Sequence, residues 1–213
     1  MITDQIIIAA VIAALCSCDN VAFGQFMLSR PIFCAPLFGY LSGDIGTGLW
    51  MGMIAETIWI NTLPLGAAIP LDISALGILP VFWSAKYFAA IPHSAVFGLL
   101  LALPFAYLAK EIDILGRIVN TKLMLRLERE LFEFGKAEIG KTIFMGLSLF
   151  FVKFFIFYVF AFYFGGWIFQ KLYLCLPPFI IFTLSKLWYL LPALGFGSAA
   201  YIFAGLKLPF FRK

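Results

Sequence analysis

Two acidic residues, Glu56 and Asp72, stand in apolar surroundings where a charge is costly. A carboxylate at membrane depth costs at least about 2.5–3.5 kcal/mol, so it usually faces a cavity, a partner or a polar ligand. A buried carboxylate is a strong acceptor, and two of them flanking the break at Gly66-Ala67-Ala68 would suit a ligand rich in hydroxyl groups, such as a sugar. The other interpretation makes both acids helix caps or interfacial loop residues, and the residue pattern leaves it open.

The composition predicts that these acids belong to an integral membrane protein. Of 213 residues, 63% are hydrophobic and 12% are charged, whereas soluble domains average about 45–50% and about 25%. Backbone groups in lipid must be hydrogen-bonded internally, so only helices or closed barrels span a bilayer, and the continuous apolar runs favour helices. The net charge of +4 is small and dispersed, which argues against a nucleic-acid partner.

Charge-free runs predict where the chain crosses the membrane. Tyr87–Ala109 and Leu187–Leu206 are each long enough to span alone, since a span needs about 20 apolar residues. Thr142–Gln170 predicts a third span, interrupted by Lys153. This lysine could pair with an acid of a partner, but we favour a side chain that reaches towards the interface. The stretch Leu172–Ser185, broken by two adjacent prolines, predicts a short, bent or re-entrant segment.

The region before Tyr87 has a different character. Charges cut it into apolar pieces of about 10–15 residues, several of them too short to cross a normal bilayer. Glycines and prolines cluster at the joints between the pieces. Either these charges lie inside spans, or short helices and hairpins enter the membrane without crossing it. We predict the second arrangement, with short broken or re-entrant helical hairpins, from which transporters build substrate sites.

The polar stretch Lys110–Lys141 holds seven basic and six acidic residues, with apolar residues at helical spacing. It predicts an amphipathic helical connector that lies on the membrane or bridges two spans, with a solvated connector as the alternative. Basic residues favour the cytoplasmic side, which places this stretch and the C-terminus in the cytoplasm. We expect one membrane domain, 1–213, made of a site-bearing half (1–109), the connector (110–141) and C-terminal helices (142–213).

The window Arg30–Asp72 resembles the IIC subunit of the mannose/fructose/sorbose family of the phosphotransferase system. The resemblance rests on an ordered set of motifs with matching spacing rather than on any one of them. The set comprises Arg30-Pro31, the turn Gly43-Asp44 with Thr47-Gly48, the membrane glutamate Glu56, and the hairpin Gly66-Ala67-Ala68 with Asp72.

This resemblance implies an all-α permease in the bacterial inner membrane, multi-pass, that works with a homologous IID subunit. Cytoplasmic IIA and IIB proteins carry phosphate, and IIB phosphorylates the arriving hexose or amino sugar. The IIC chain itself would be non-enzymatic, with neither cofactor nor metal. Trimers of IIC–IID pairs would be the assembled form.

By position, the resemblance implies that Asp72, Gly66 and Ala67 contact sugar, with Glu56 close by. Gln25 stands where many members have an acidic residue near the site. Together with Asn61, these residues form the predicted substrate-binding set. Sugar-binding members commonly have Asn where Pro64 stands and Gln where Met27 stands, and Asn61 could replace one of these lost amides. The departures keep two alternatives open. One is a shortened structural partner subunit that does not transport, and the other is an unrelated secondary transporter.

Overall fold

The computed structural model describes residues 2–19, 24–60, 71–134 and 138–203. Within these ranges the chain is helical and contains no strand, which confirms the predicted all-α fold. The elements are α1 (Ile2–Asp19), α2 (Pro31–Ser42), α3 (Ile45–Ile58), α4 (Ile73–Phe88), α5 (Ser94–Phe134), α6 (Ile139–Phe160), a π-helical turn (Ala161–Gly165), α7 (Gly166–Leu174) and α8 (Pro178–Phe203).

The α2–α3 hairpin is the short helical hairpin that the sequence predicts. Its helices have 12 and 14 residues, so each is only about 18–21 Å long, against about 30 Å of hydrocarbon in a bilayer. Gly43 ends α2 in the left-handed conformation, with φ of 84°, where a side chain is disfavoured. Asp44 then caps α3 by accepting a hydrogen bond from the Thr47 N–H at 3.0 Å.

The two arms of this hairpin pack at backbone distance. A Cβ added to Gly48 would lie 2.7 Å from the carbonyl oxygen of Ala35, and one added to Gly52 would lie 2.8 Å from that of Pro31. Glycine is therefore required at both positions, because any side chain would push the helices apart. The contact fixes where the ends of both helices lie.

Helix α4 forms the centre of the molecule. Every side chain from Ser74 to Ala85 is buried, because α4 packs against α2 on one side and α5 on another. A Cβ added to Gly77 would lie 3.0 Å from the Cα of Pro31, so the first turn of α2 rests directly on α4. This contact brings the N-terminal ends of α2 and α4 together.

A π-helical turn, Ala161–Gly165, interrupts the long helix formed by α6 and α7. Its Phe162 is fully buried, and its ring centroid lies 4.2 Å from that of Phe82. A Cβ on Gly165 would lie 2.5 Å from Trp83. The backbone of the turn at Gly165 therefore packs directly against the Trp83 side chain of α4. Such turns are common at functional sites.

Among the described residues, three stretches are long and apolar enough to cross a membrane: Ser94–Glu133, Ile139–Leu174 and Pro178–Tyr201. The predicted span Thr142–Gln170 lies within the second stretch. The predicted span Tyr87–Ala109 begins too early, because Tyr87 belongs to the last turn of α4 and α5 starts at Ser94. The predicted span Leu187–Leu206 overlaps the third stretch as far as Tyr201. Helix α5 has 41 residues and is about 62 Å long, twice the thickness of the hydrocarbon layer. It passes through residue 110 without a break, so the polar stretch is helical as predicted but begins as an extension of a span.

Over Leu172–Ser185 the chain bends, which was one of the predicted options, but these residues do not form a separate short or re-entrant segment. Helix α7 ends at Leu174, the chain turns, and Pro178 begins α8, which continues to Phe203. The double proline marks a helix start, where the missing N–H costs nothing and the fixed φ favours the first turn. The last span therefore begins nine residues earlier than the predicted Leu187.

The expectation that Lys153 reaches an interface is also wrong. Its Nζ lies 2.6 Å from Asp113 Oδ1, and both side chains are largely buried, with exposures of 13% and 10%. Arg117 Nε donates to the other oxygen of Asp113 at 2.8 Å. The lysine also lies over the Phe150 ring, 3.7 Å from its centroid. The acid partner is thus in the same chain, and the pair ties α5 to α6.

Candidate functional site

Asp72 caps the N-terminus of α4. Its Oδ1 accepts hydrogen bonds from the N–H groups of Ser74 (3.0 Å) and Ala75 (3.4 Å), and a further bond from the Ser74 hydroxyl. Aspartate is among the best N-cap residues, because its carboxylate satisfies N–H groups that the helix leaves unpaired. All three bonds end on Oδ1, so none of them occupies Oδ2. Helix capping and ligand binding are therefore compatible in this one side chain.

Three buried hydroxyl groups form a hydrogen-bonded triangle next to Asp72. Ser17 Oγ lies 3.1 Å from Ser74 Oγ and 2.8 Å from the hydroxyl oxygen of Tyr158, and the third side, from Tyr158 to Ser74, is 3.5 Å. All three residues are buried. Each hydroxyl has one proton and two lone pairs, so each can donate one hydrogen bond and accept others. The hydrogen bonds can therefore be directed so that the Asp72 carboxylate is the final acceptor. The triangle joins α1, α4 and α6 at this point.

We predict that Tyr158→Phe weakens the fold by about 1 kcal/mol, the usual net value of a buried hydrogen bond. The cost is limited because Ser17 and Ser74 still bond to each other. Thermal unfolding of the purified protein in detergent measures the effect. Tyr163→Phe is the matched control, since this tyrosine is five residues away and 69% exposed. Equal unfolding temperatures for the two variants would contradict the proposed role of the Tyr158 hydroxyl.

Glu56 is paired with Arg30. Arg30 Nε lies 3.0 Å from Glu56 Oε1, with side-chain exposures of 23% and 15%. The N–H of Ile32, in the first turn of α2, approaches Oε2 at 3.4 Å. A carboxylate at this position complements the positive end of the α2 dipole. Glu56 is therefore neither a bulk-solvent residue nor an unpaired charge.

Asp19, at the end of α1, anchors the loop that carries Gln25. Its two oxygens accept from the N–H groups of Phe26 (2.7 Å) and Leu28 (2.8 Å). Gln25 and Met27 both have positive φ, 55° and 67°, a conformation that non-glycine residues rarely adopt and that clusters at ligand sites. Gln25 is exposed, so its amide is free to meet a ligand.

The start of α2 and the start of α4 lie next to each other. Cys34, which is completely buried, has its Sγ 4.0 Å from the carbonyl oxygen of Ser29 and 3.9 Å from that of Ser74. It thus bridges the residue before Arg30 and the residue two after Asp72. Two helix N-termini, those of α2 and α4, meet here with carboxylates beside them. Transporters use such ends of short helices to bind polar substrates at membrane depth.

The structure describes three of the six predicted site residues. Asp72, Glu56 and Gln25 lie at helix ends or in the loop beside them, whereas Asn61, Gly66 and Ala67 lie outside the described residues. Sequence reasoning missed the supporting residues. These are Ser17, Asp19, Arg30, Ser74 and Tyr158. The Asp-x-Ser pattern of a helix start could have indicated Ser74, but nothing local distinguishes Tyr158 within a run of aromatic residues.

Comparison with known proteins identifies the relatives of this chain. The family model for the sorbose-specific IIC component of the phosphotransferase system matches residues 3–211. The mannose-specific EIIC component of Escherichia coli K12 is 26% identical over 118 residues, which is 55% of this chain and 42% of that protein. The Shigella flexneri protein of the same name matches equally well. The match thus spans less than half the length of these relatives.

Solved structures share the fold. A cryo-EM structure of the mannose transporter ManYZ with microcin E492 matches 98% of this chain and 83% of the solved chain, with a TM-score of 0.66 and 22% identity. A second, described as a membrane protein, has a TM-score of 0.64 and 19% identity, and the match covers 97% and 83% of the two chains. The family match over nearly the whole chain confirms the resemblance carried by Arg30–Asp72, and this chain belongs to the sorbose-type IIC family of membrane components of the sugar phosphotransferase system.

Proposed function

We propose that this chain carries a hexose or amino sugar across the bacterial cytoplasmic membrane and presents it to a phosphorylating IIB partner. One observation carries the proposal: Asp72 is fixed through Oδ1 at the start of a buried helix, and its hydrogen bonds to the described residues leave Oδ2 unoccupied. An ionised carboxylate oxygen at that position is a strong acceptor for sugar hydroxyls. The helix end supplies the rigid support that a binding side chain needs.

The proposed site combines Asp72 with Glu56 and Gln25, joined by Asn61, Gly66 and Ala67 from the segment that links α3 to Asp72. Gln25 would contribute an amide that both donates and accepts. Movement of the site past the longer helices would give alternating access around a polar pocket near broken helices. Phosphoryl transfer is assigned to the partner chains, so this chain holds and moves the sugar without reacting with it.

The partners follow from the family. We propose a IID membrane subunit, cytoplasmic IIA and IIB phosphocarriers, and trimers of IIC–IID pairs. The ManYZ likeness supports the choice of a hexose of the mannose class and the choice of a membrane partner. Membership of the phosphotransferase family argues against the alternative of an unrelated secondary transporter.

A structural subunit that does not transport is the second candidate, and two observations favour it. Glu56 is already satisfied by Arg30 and by the end of α2, so it needs no ligand. Met27, which stands where sugar-binding members commonly have Gln, is 64% exposed. Its thioether is only a weak acceptor and cannot replace an amide.

Binding of labelled sugars separates the two candidates. The chain, purified together with its membrane partner, is titrated with radiolabelled hexoses and amino sugars. A carrier is expected to show saturable binding that unlabelled sugar displaces. An intact complex that binds none of them would favour the structural subunit, and the partner purified without this chain serves as the control for sugar bound elsewhere.

A further inference from the structure

A pocket with polar residues lies at the opposite end of the short helices from Asp72. It is a cavity of about 310 Å³ between α1, α2 and α4. Gln5 lines it from the start of α1, Ser42 from the last residue of α2, and Lys86 from the last turn of α4. The rest of the lining is apolar: Ile8, Ala9, Leu41, Phe82 and Ala85.

Two polar atoms in this pocket are buried without a partner. Lys86 Nζ and Ser42 Oγ each expose less than 1 Å² and have no hydrogen-bond partner in the described part of the chain. Buried polar groups are paired in the great majority of cases, so each exception needs an explanation. The rings of Phe82 and Tyr87, at 5.3 and 5.7 Å from Nζ, stabilise the lysine charge only in part. Neither ring provides a hydrogen-bond partner for the Ser42 hydroxyl.

The unpaired donors of Lys86 and Ser42 indicate which kind of group would pair with them. Lysine supplies three N–H donors and no acceptor, serine supplies one O–H donor, and the Gln5 amide adds two more at the exposed edge. What is absent is therefore an acceptor with several oxygens and a negative charge. We propose that this Lys86–Ser42 pocket binds a phosphate group, and that an anionic phospholipid headgroup is its source in the membrane.

The position of the pocket agrees with a lipid source. All three polar residues lie at the ends of helices, and the ends of membrane helices meet the headgroup region. Basic pockets between membrane helices are known to bind phospholipid headgroups. The apolar part of the lining would accept the glycerol and the first acyl carbons, whereas free phosphate would leave it uncovered.

The test measures phosphate-bearing ligands on the full chain, purified in a neutral detergent with its membrane partner where the two copurify. Wild type, Lys86→Gln and Lys86→Arg are each titrated with mixed micelles containing phosphatidylglycerol, with phosphatidylcholine, and with inorganic phosphate at matched ionic strength. Retained lipid is measured by native mass spectrometry and protection by thermal unfolding. Lys110→Gln is the matched control, because Lys110 also lies 5.7 Å from a tyrosine ring centroid but does not line the pocket.

We expect Lys86→Gln to retain phosphatidylglycerol at least about tenfold less well than wild type, since a charge-assisted hydrogen bond is lost. Lys86→Arg should recover most of the binding and Lys110→Gln should keep it. Protection by inorganic phosphate that depends equally on Lys86 would support the phosphate pocket but overturn the lipid source. The proposal would be overturned if folded Lys86→Gln retained phosphatidylglycerol as well as wild type and was protected by inorganic phosphate to the same extent.

Discussion

A chain carrying Asp72→Ala is expected to insert into the membrane normally and to transport no sugar. Each hydrogen bond between a ligand and a carboxylate is worth about 1.5–3 kcal/mol, or roughly ten- to more than a hundredfold in affinity. The substitution also removes the α4 cap, at a further cost of about 1 kcal/mol in stability. Uptake of labelled sugar into cells, with the amount of inserted protein measured in parallel, gives the result.

Two further variants separate capping from binding at Asp72. Asp72→Asn keeps an equally good N-cap but removes the charge, so it should fold like wild type and still lose most uptake. Asp44→Ala removes the comparable cap of α3, whose bond to Thr47 is 3.0 Å, at the far end of the hairpin. It should lower stability without abolishing uptake. Normal uptake by inserted Asp72→Ala would remove this residue from the proposed site.

The largest expected loss of stability follows from Lys153→Met. This change leaves Asp113 largely buried with only Arg117 beside it, and breaking a buried ion pair on one side typically costs about 3–5 kcal/mol. We expect a large drop in the thermal unfolding temperature of the detergent-solubilised protein. Lys141→Met is the control, because its pair with Glu138 is exposed, at 79% and 75%, and such pairs contribute little.

The double variant Asp113→Leu/Lys153→Met tests the explanation. Removing both charges leaves no uncompensated carboxylate, so much of the lost stability should return. A double variant as unstable as the single one would show that the ion pair is not the reason. The loss would then come from the packing of the Lys153 stem on Phe150 and Gly116.

Local sequence patterns were sufficient to predict the short hairpin and to single out the two acidic residues. The turn at Gly43-Asp44 depends on a glycine with positive φ followed by a helix-capping aspartate, and both signals are contained in adjacent residues. Glu56 and Asp72 were singled out because a charge among apolar residues requires compensation. Neither conclusion needed any knowledge of distant parts of the chain.

The partners of these acids could not be predicted in the same way. Ser17 and Tyr158 are 141 residues apart in the chain, and hydropathy treats Tyr158 like the phenylalanines around it. Lys153 was expected to reach the interface, whereas its partner is Asp113, which stands 40 residues earlier in the polar stretch. In both cases packing of α5 and α1 against α6 creates the contact, and a single sequence contains no direct sign of that packing.

The π-helical turn at Ala161–Gly165 is the place in this long helix where one residue can be lost with the least change in orientation. A π turn contains one residue more than an α turn, so deleting a single residue there would let an unbroken α-helix form. The segments on either side would keep nearly the same rotation about the helix axis, with Tyr158 in the hydroxyl triangle and Phe169 beside Trp83. A deletion in the regular part of the helix has no extra residue to absorb it and would rotate one segment against the other by about 100°. Substitution of Gly165 is the less tolerated change in this turn, because an added Cβ would lie 2.5 Å from Trp83.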